Sequence, residues 1–311
     1  MKYITRRLLL SLLVLWSLAT VTFILVHLIP GNPVALALQG RVPVATVDRI
    51  TREAGLYRPL LAQYVSYFNM LLHGNLGNSI SLSRSVEYLV GQRIVPSLEL
   101  ISYGLLIAIV VGVPLAIISA LKANKAVDHG TRLFTTFLFG MPTFWLGLMI
   151  ALLFGLKLNW FPVSGYESGF AGAFKTLTLP ALTLGLSLVV LVTRSLRFNL
   201  IEVLNSEYIE AARSRGISEW RILFKHSMRN AVMPTFTILS AVIGFLIGGT
   251  VVLEQVFQIP GLGSLLVNAV LADDYSLVQA LALVAGALVV TVSLLTDLLQ
   301  VALDPRVRLS R

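Results

Sequence analysis

The side chains able to do covalent chemistry are few and scattered. Cysteine is absent, which removes thiolate nucleophiles, thiolate metal sites and iron–sulfur clusters. The four histidines, His27, His73, His129 and His226, form no His-x-x-x-His pair, so a metalloprotease site has no ligands. No lysine follows a glycine. A Gly-x-x-x-x-Gly-Lys-Ser/Thr loop for cradling phosphates is therefore missing, and the chain is not expected to be its own P-loop ATPase. Ser164 lies in Pro162-Val163-Ser164-Gly165, without the first glycine of a nucleophile elbow, and reads as a turn residue. What remains is a charged stretch, Arg194–Asn230, in which acids and bases recur at helical spacing. Such a pattern suits docking, not bond-making.

Two short helices are expected to position that stretch. Asn205-Ser206-Glu207 supplies an N-cap and an acidic first turn, favourable to the helix dipole. The run Glu207-Tyr208-Ile209-Glu210-Ala211-Ala212-Arg213-Ser214-Arg215 then reads as a helix ending at Gly216, a glycine suited to a left-handed C′ position. Ile217-Ser218 restarts the chain, with Ser218 as N-cap of a second helix through Trp220, Arg221, Ile222, Leu223, Phe224 and His226. That helix is expected to stop near Asn230, before Met233-Pro234. The outcome is a compact knob with a glycine elbow.

The rest of the chain says where such a knob would sit. Of 311 residues, 56% are hydrophobic and only 13% charged, with a formal charge of +9. Too little charge is present to coat a soluble globule of this size. An ordinary cytosolic enzyme, a disordered chain and a disulfide-stapled module are excluded. Basic charge on so apolar a chain marks membrane orientation and not nucleic acid. Six runs lack Asp, Glu, Lys and Arg: Leu8–Ile29, Leu100–Leu121, Leu133–Leu156, Leu177–Thr193, Ala231–Leu253 and Ser276–Thr296. At about 1.5 Å per residue, helices of such length cross a core of about 30 Å. The fold class is thus an all-α polytopic membrane protein with six transmembrane helices, the fourth extended through Arg194 by snorkelling. The first run, too long for a signal peptide and followed by Pro30 and Pro33, is expected to be a retained span.

Placing Lys2, Arg6 and Arg7 inside also places Lys122, Lys125, Arg132, the basic residues of 194–230, and Arg306, Arg308 and Arg311 inside. Both termini are then cytoplasmic. Outside lies the long segment 30–99, whose Leu60, Leu61, Tyr64, Val65, Tyr67, Phe68, Leu71 and Leu72 predict a short amphipathic helix on the outer face. The last external loop, Glu254–Tyr275, carries no Lys or Arg. Within the spans, Gly244, Gly248 and Gly249 mark a helix-packing face. Pro114, Pro142, Pro180 and Pro234 lie inside spans or at their starts. Glu254, Phe257, Pro260, Gly261 and Gly263 surround an expected tight turn that suits an outer gate.

Glu210-Ala211-Ala212 followed by Gly216 and, further on, Pro234 matches the EAA motif of ATP-binding-cassette importer permeases. Ser206-Glu207-Tyr208, His226 to Ala231, Leu25 to Pro33, Leu56 to Tyr64, Gly74 to Ser79, Gly248-Gly249-Thr250, Glu254 to Phe257, Pro260 to Gly263, Asp274-Tyr275 and Asp304-Pro305-Arg306 continue the likeness. Together they resemble the dipeptide/oligopeptide/nickel branch. Ala54-Gly55-Leu56-Tyr57 departs from the usual Leu-Gly-Leu-Asp. The resemblance implies a type I importer permease in a bacterial or archaeal inner membrane, with no catalytic, metal or cofactor site of its own. ATP and magnesium would belong to two cytoplasmic ATPase subunits. A second homologous permease would complete the pathway, and an external binding protein would deliver cargo; lipid is the remaining partner and nucleic acid is not one.

It further implies an N-terminal span at 1–29, an external loop at 30–99, a core at 100–304 and a tail at 305–311. Glu207, Glu210, Ala211, Ala212, Gly216, Ile217, Ser218, Trp220, Arg221 and Pro234 would form the loop that couples to the ATPase. Di- or oligopeptides are the expected cargo, with nickel or metal chelates and glutathione as alternatives in the same branch. Outside the class, an ion-coupled secondary transporter would need ionisable groups at mid-membrane, which these spans lack.

Overall fold

A computed structural model describes residues 2–40 and 42–303. Arg41, the Asp304-Pro305-Arg306 motif, the basic residues Arg306, Arg308 and Arg311, and the tail at 305–311 lie outside the described residues. The chain separates into two units, Met1–Ser97 with Pro260–Leu294 and Leu98–Ile259 with Leu295–Arg311.

In the first unit, α1 (Lys2–Leu28) is a long apolar helix. It gives way at Pro30-Gly31 to α2 (Pro33–Leu38), where the Asn32 side chain accepts from the Val34 and Ala35 amides and Pro33 opens the helix. Then come α3 (Val44–Glu53) and α4 (Leu60–Leu72). An antiparallel hairpin of β1 (Asn78–Ser79) and β2 (Arg84–Ser85) follows. The segment expected to carry one helix thus holds three helices and a hairpin. The helix α5 (Val86–Leu121) begins in this unit. Its first turns pack Val86 and Leu89 with Leu262, Leu265 and Leu277 of α13 (Leu262–Leu271) and α14 (Tyr275–Leu303).

The second unit is built around α8 (Phe170–Leu204), most of whose apolar stretch is buried. Around it lie the rest of α5, α6 (Ala126–Gly140), α7 (Thr143–Ile150), α11 (Met228–Gly249) and α12 (Val251–Val256). Helices α5 and α8 approach closely. A Cβ on Gly185 would lie 2.7 Å from Ile107, and one on Gly104 would lie 2.8 Å from Leu184. Only glycine lets those two backbones meet. By contrast, a Cβ at Gly248 or Gly249 would meet nothing within 4 Å. The expected packing face of Gly244, Gly248 and Gly249 therefore has, among the described residues, no neighbour within 4 Å of a Cβ at its last two positions.

Among the described residues five helices are long and apolar enough to cross a membrane, and a bent pair makes a sixth if counted as one span. That pair corrects the expectation of a single helix over Leu133–Leu156. Helix α6 stops at Gly140, Met141 is extended, and α7 restarts after Pro142, with 102° between the two halves. Proline both lacks an N–H and drives its predecessor out of the α region. Pro180 and Pro234 sit inside α8 and α11 without such a break, because each removes one hydrogen bond while its predecessor stays helical. Helix α7 winds on as a π-helix, Ala151–Lys157.

The stretch 254–275 is not a plain loop either, since α12 and α13 occupy most of it. Nor is its glycine turn tight. Gly261 is extended with φ −99° as N-cap of α13, Gly263 is helical, and the left-handed residue is Gln258 at φ 51°.

Candidate functional site

The Arg194–Asn230 stretch forms the expected knob, within the second unit. Helix α8 delivers the chain to Leu204, and α9 (Glu207–Ser214) follows after a two-residue turn. Ser206 has the extended backbone of an N-cap, but its hydroxyl donates backward to the Val203 carbonyl at 2.5 Å and not forward into α9. Capping by that side chain, expected from sequence, does not occur. Glu207 and Glu210 still place negative charge in the first turn.

At the other end the geometry is that of a Schellman motif. The Gly216 amide donates to the Arg213 carbonyl at 2.9 Å, and the Ile217 amide donates to the Ala212 carbonyl at 3.2 Å. Gly216 has φ +74°, the left-handed region that glycine enters without a Cβ penalty. Nothing lies within 4 Å of where its Cβ would be. Glycine is required here by backbone angle, not by space.

Ser218 starts the second helix, again as an extended N-cap without a side-chain bond. Here α10 (Glu219–Arg221) passes into a π-helical turn, Ile222–Ser227, and then straight into α11. The expected stop near Asn230 is absent. Pro234 removes only one bond from α11 and cannot end a helix that tertiary packing supports.

The knob has its own small core. Leu204, Ile209 and Ile222 are buried together, flanked by Val203, Ala212 and Ile217. Fully burying side chains such as Ile209 and Ile222 is worth about 1.5–3 kcal/mol each. Leu223 turns to a second cluster with Ala116, Ala120, Leu196, Leu200 and Ala231. The knob is thereby seated on α5 and α8. Arg213 closes the elbow, donating through Nε to Glu219 at 2.9 Å, and Asn230 donates to the Tyr208 hydroxyl at 2.9 Å.

What faces outward is the opposite of a core. Glu207, Glu210, Ala211, Gly216, Ser218 and Arg221 are exposed, as is Pro234. Trp220 is 73% exposed and Phe224 52% exposed, and their rings stack 5.0 Å apart at 8°. An exposed stacked aromatic pair beside exposed charges offers area on which another surface can rest.

The other expected sites are dispersed. Glu254 and Phe257 are buried in the second unit, where the Phe257 ring lies against Gly147 and its carbonyl accepts from the Gly165 amide. Gly261 and Gly263 are buried in the first unit, with Pro260 partly exposed there. Among the described residues no group of three or more His, Asp or Glu stands ready for a metal.

Sequence reasoning missed two buried carboxylates. Asp128 at the start of α6 accepts from Arg197 Nε at 2.6 Å and Nη2 at 2.7 Å, from the Ser119 hydroxyl at 2.6 Å, and from the Asn124 amide at 2.9 Å. In the first unit, Asp274 accepts from the hydroxyls of Ser79 at 2.6 Å and Ser81 at 2.7 Å. It also accepts from the amides of Ser81 and Leu277. The only sequence signal for the first was a lone acid in a basic loop, and for the second there was none beyond its place in a motif.

Comparison with known proteins supplies the family. Residues 112–309 match the family described as binding-protein-dependent transport system inner membrane component, and residues 1–84 match its N-terminal membrane component family. A protein of Brucella suis biovar 1 (strain 1330) named as a peptide permease is 35% identical over the whole of both chains. The oligopeptide transport system permease protein AppB of Bacillus subtilis (strain 168) is 33% identical over 98% of each. Among solved structures, an inward-facing form of the MetNI methionine ABC transporter matches with a TM-score of 0.59 at 13% identity, covering 70% of this chain and 97% of that one. That likeness speaks to the fold alone. Apolar helices, the seated knob and a family match across the core together lead to one statement: this chain belongs to the binding-protein-dependent transport system inner membrane component family, the multi-pass permeases of ABC importers.

Proposed function

We propose that this chain is one permease of an ABC importer that takes up di- or oligopeptides, with the 194–230 knob as the element that receives the ATPase stroke. The observation that carries the reading is the knob's construction: a private apolar core and a left-handed glycine elbow hold Glu210, Ala211 and the Trp220–Phe224 pair outward on a base fixed to α5 and α8. A rigid body moves as one when pushed, which a flexible connector does not. ATP and magnesium would be held by two separate ATPase chains on that side of the membrane, and this chain would hydrolyse nothing.

In this reading the N-terminus and the knob are cytoplasmic, and residues 30–99 lie outside, where a binding protein would release its cargo. The open glycine face of α11, at Gly248 and Gly249, would meet the second permease. Peptide cargo is favoured over nickel chelates by the names of the relatives, which are those of peptide and oligopeptide permeases.

Gly216→Val tests the coupling role. Its strain comes from φ alone, about 1–3 kcal/mol, so the chain should still insert while transport and cargo-stimulated ATPase activity fall. Gly216→Asn, which tolerates the left-handed region, should retain both. Glu210→Arg should uncouple as Gly216→Val does. Full peptide uptake in Gly216→Val and Glu210→Arg at normal expression would sink the assignment.

A further inference from the structure

The helix α4 is inside out for a water-facing surface helix. Its sequence, LLAQYVSYFNMLL, has no Asp, Glu, Lys or Arg. An amphipathic helix resting on a polar surface buries its apolar stripe and shows water its polar one. In α4 Gln63, Tyr64 and Tyr67 turn inward, while the small polar side chains Ser66 and Asn69 stay exposed among the apolar ones. Gln63 donates to the carbonyls of Leu56 and Arg58 at 3.0 and 2.8 Å, and its Oε1 lies 3.0 Å from His27 Nε2. The Tyr64 hydroxyl meets the Thr20 hydroxyl at 2.9 Å, while Phe23 stacks with Tyr67 and meets Tyr64 edge-on. The outward side carries Leu61 (75% exposed), Val65 (60%) and Leu72 (83%).

The level of these contacts matters. Thr20, Phe23 and His27 belong to α1, and Thr20 precedes its end at Leu28 by about 12 Å along the axis. That part of α1 is flanked by exposed Val21, Ile24 and Leu25, the sides that face lipid if α1 crosses the membrane. Helix α4 lies against this apolar stretch and not above it, so its free face continues the lipid-facing surface of α1. At 13 residues it is about 20 Å long, too short to cross a core of about 30 Å.

We propose that α4 is a non-crossing helix seated in the acyl layer at the C-terminal end of α1, with Leu61, Val65 and Leu72 against lipid chains. A shallow depression of about 610 Å³, lined by Pro59, Leu61, Ala62, Val65, Ser66 and Asn69, gives an acyl chain a place to lie. This rests on the reading that α1 crosses the membrane.

The chain has no cysteine, so single-cysteine variants carry a nitroxide at one site without background. The full-length chain would be placed in vesicles of phosphatidylethanolamine and phosphatidylglycerol. Labels at Leu61→Cys and Val65→Cys would be compared with Leu12→Cys on the exposed side of α1 and Arg49→Cys on exposed α3. Collision with oxygen reports lipid, and collision with a water-soluble nickel chelate reports water. Leu61 and Val65 should behave as Leu12 does, with oxygen favoured several-fold over the chelate. If they follow Arg49, or are shielded from both reagents, the proposal is overturned, by water or by a protein cover respectively. If Leu12 itself is reached by the chelate, the membrane reading of α1 fails first.

Discussion

Two fully buried aspartates, one in each unit, are held by different chemistry. Asp128 is met by a cation: the Arg197 guanidinium closes on both oxygens, with the Ser119 hydroxyl and the Asn124 amide completing the shell. Asp274 is met by dipoles, two serine hydroxyls and two backbone amides, one of them at the start of α14. Both join parts far apart in sequence. The first ties the α5–α6 turn to α8, two turns before that helix ends at Leu204, and the second ties the β1–β2 hairpin to the start of α14. A buried charge must be matched, but the means of matching decides what happens when it is altered. A guanidinium has five donors and can accept nothing, whereas a serine hydroxyl rotates and serves either role. The Asp128 site should therefore be brittle and the Asp274 site forgiving.

The harshest way to break that contrast is Arg197→Ala. It leaves Asp128 charged, buried and without its cation, a change that costs about 3–5 kcal/mol where such pairs are broken on one side. The expected outcome is a large fall in the apparent melting temperature of the purified chain and in its level in membranes. A melting temperature within a degree or two of the parent's would mean that water reaches Asp128 and the pair is not needed.

A finer test replaces each acid by its amide. Asp128→Asn confronts four converging donors with a single acceptor oxygen, and should destabilise by about 1.5–3 kcal/mol. Asp274→Asn lets the Ser79 and Ser81 hydroxyls turn and accept, and should cost only about 1 kcal/mol. Thermal unfolding of the two variants side by side reads the difference. Equal losses would show that burial alone sets the cost and that donor type is irrelevant.

The smallest effect belongs to an ion pair of the knob, Arg213 with Glu219 at 2.9 Å, where both side chains are well exposed. Arg213→Gln should change stability by about 0–1 kcal/mol, as exposed pairs do. A loss as large as that of Asp128→Asn would show that the elbow depends on this pair and not on Ile209, Ile222 and the glycine backbone.

Much of this molecule could be read from local pattern. Uncharged runs long enough to span are visible one residue at a time, and α1, α5, α8, α11 and α14 cover five of them. The knob was also legible, because a cap residue, an acidic first turn and a terminal glycine are all near neighbours, and Gly216 does sit at φ +74°. Local pattern misjudged the places where neighbours overrule it. Pro142 breaks its helix by 102° while Pro180 and Pro234 do not, although all three look alike in sequence. The second knob helix runs on into α11 through a π turn, since Leu223 is claimed by the cluster on α5 and α8. Glycine spacing pointed to Gly244, Gly248 and Gly249, and gave no sign of the close crossing at Gly104 and Gly185.

Sequence by itself determined the solvent each segment requires: 13% charge and six uncharged runs admit no aqueous fold, and an αL glycine admits few other residues. These are properties of single residues and of neighbours within a helical turn. Only tertiary structure decided which groups meet. The partner of Asp128 is 69 residues away and that of Asp274 is 195 away, and α4 turns Gln63 and Tyr64 to α1 and Leu61, Val65 and Leu72 outward. Hydrogen bonds and packing are satisfied through space, so the same apolar letters can face a core, a partner or lipid depending on what the fold brings beside them.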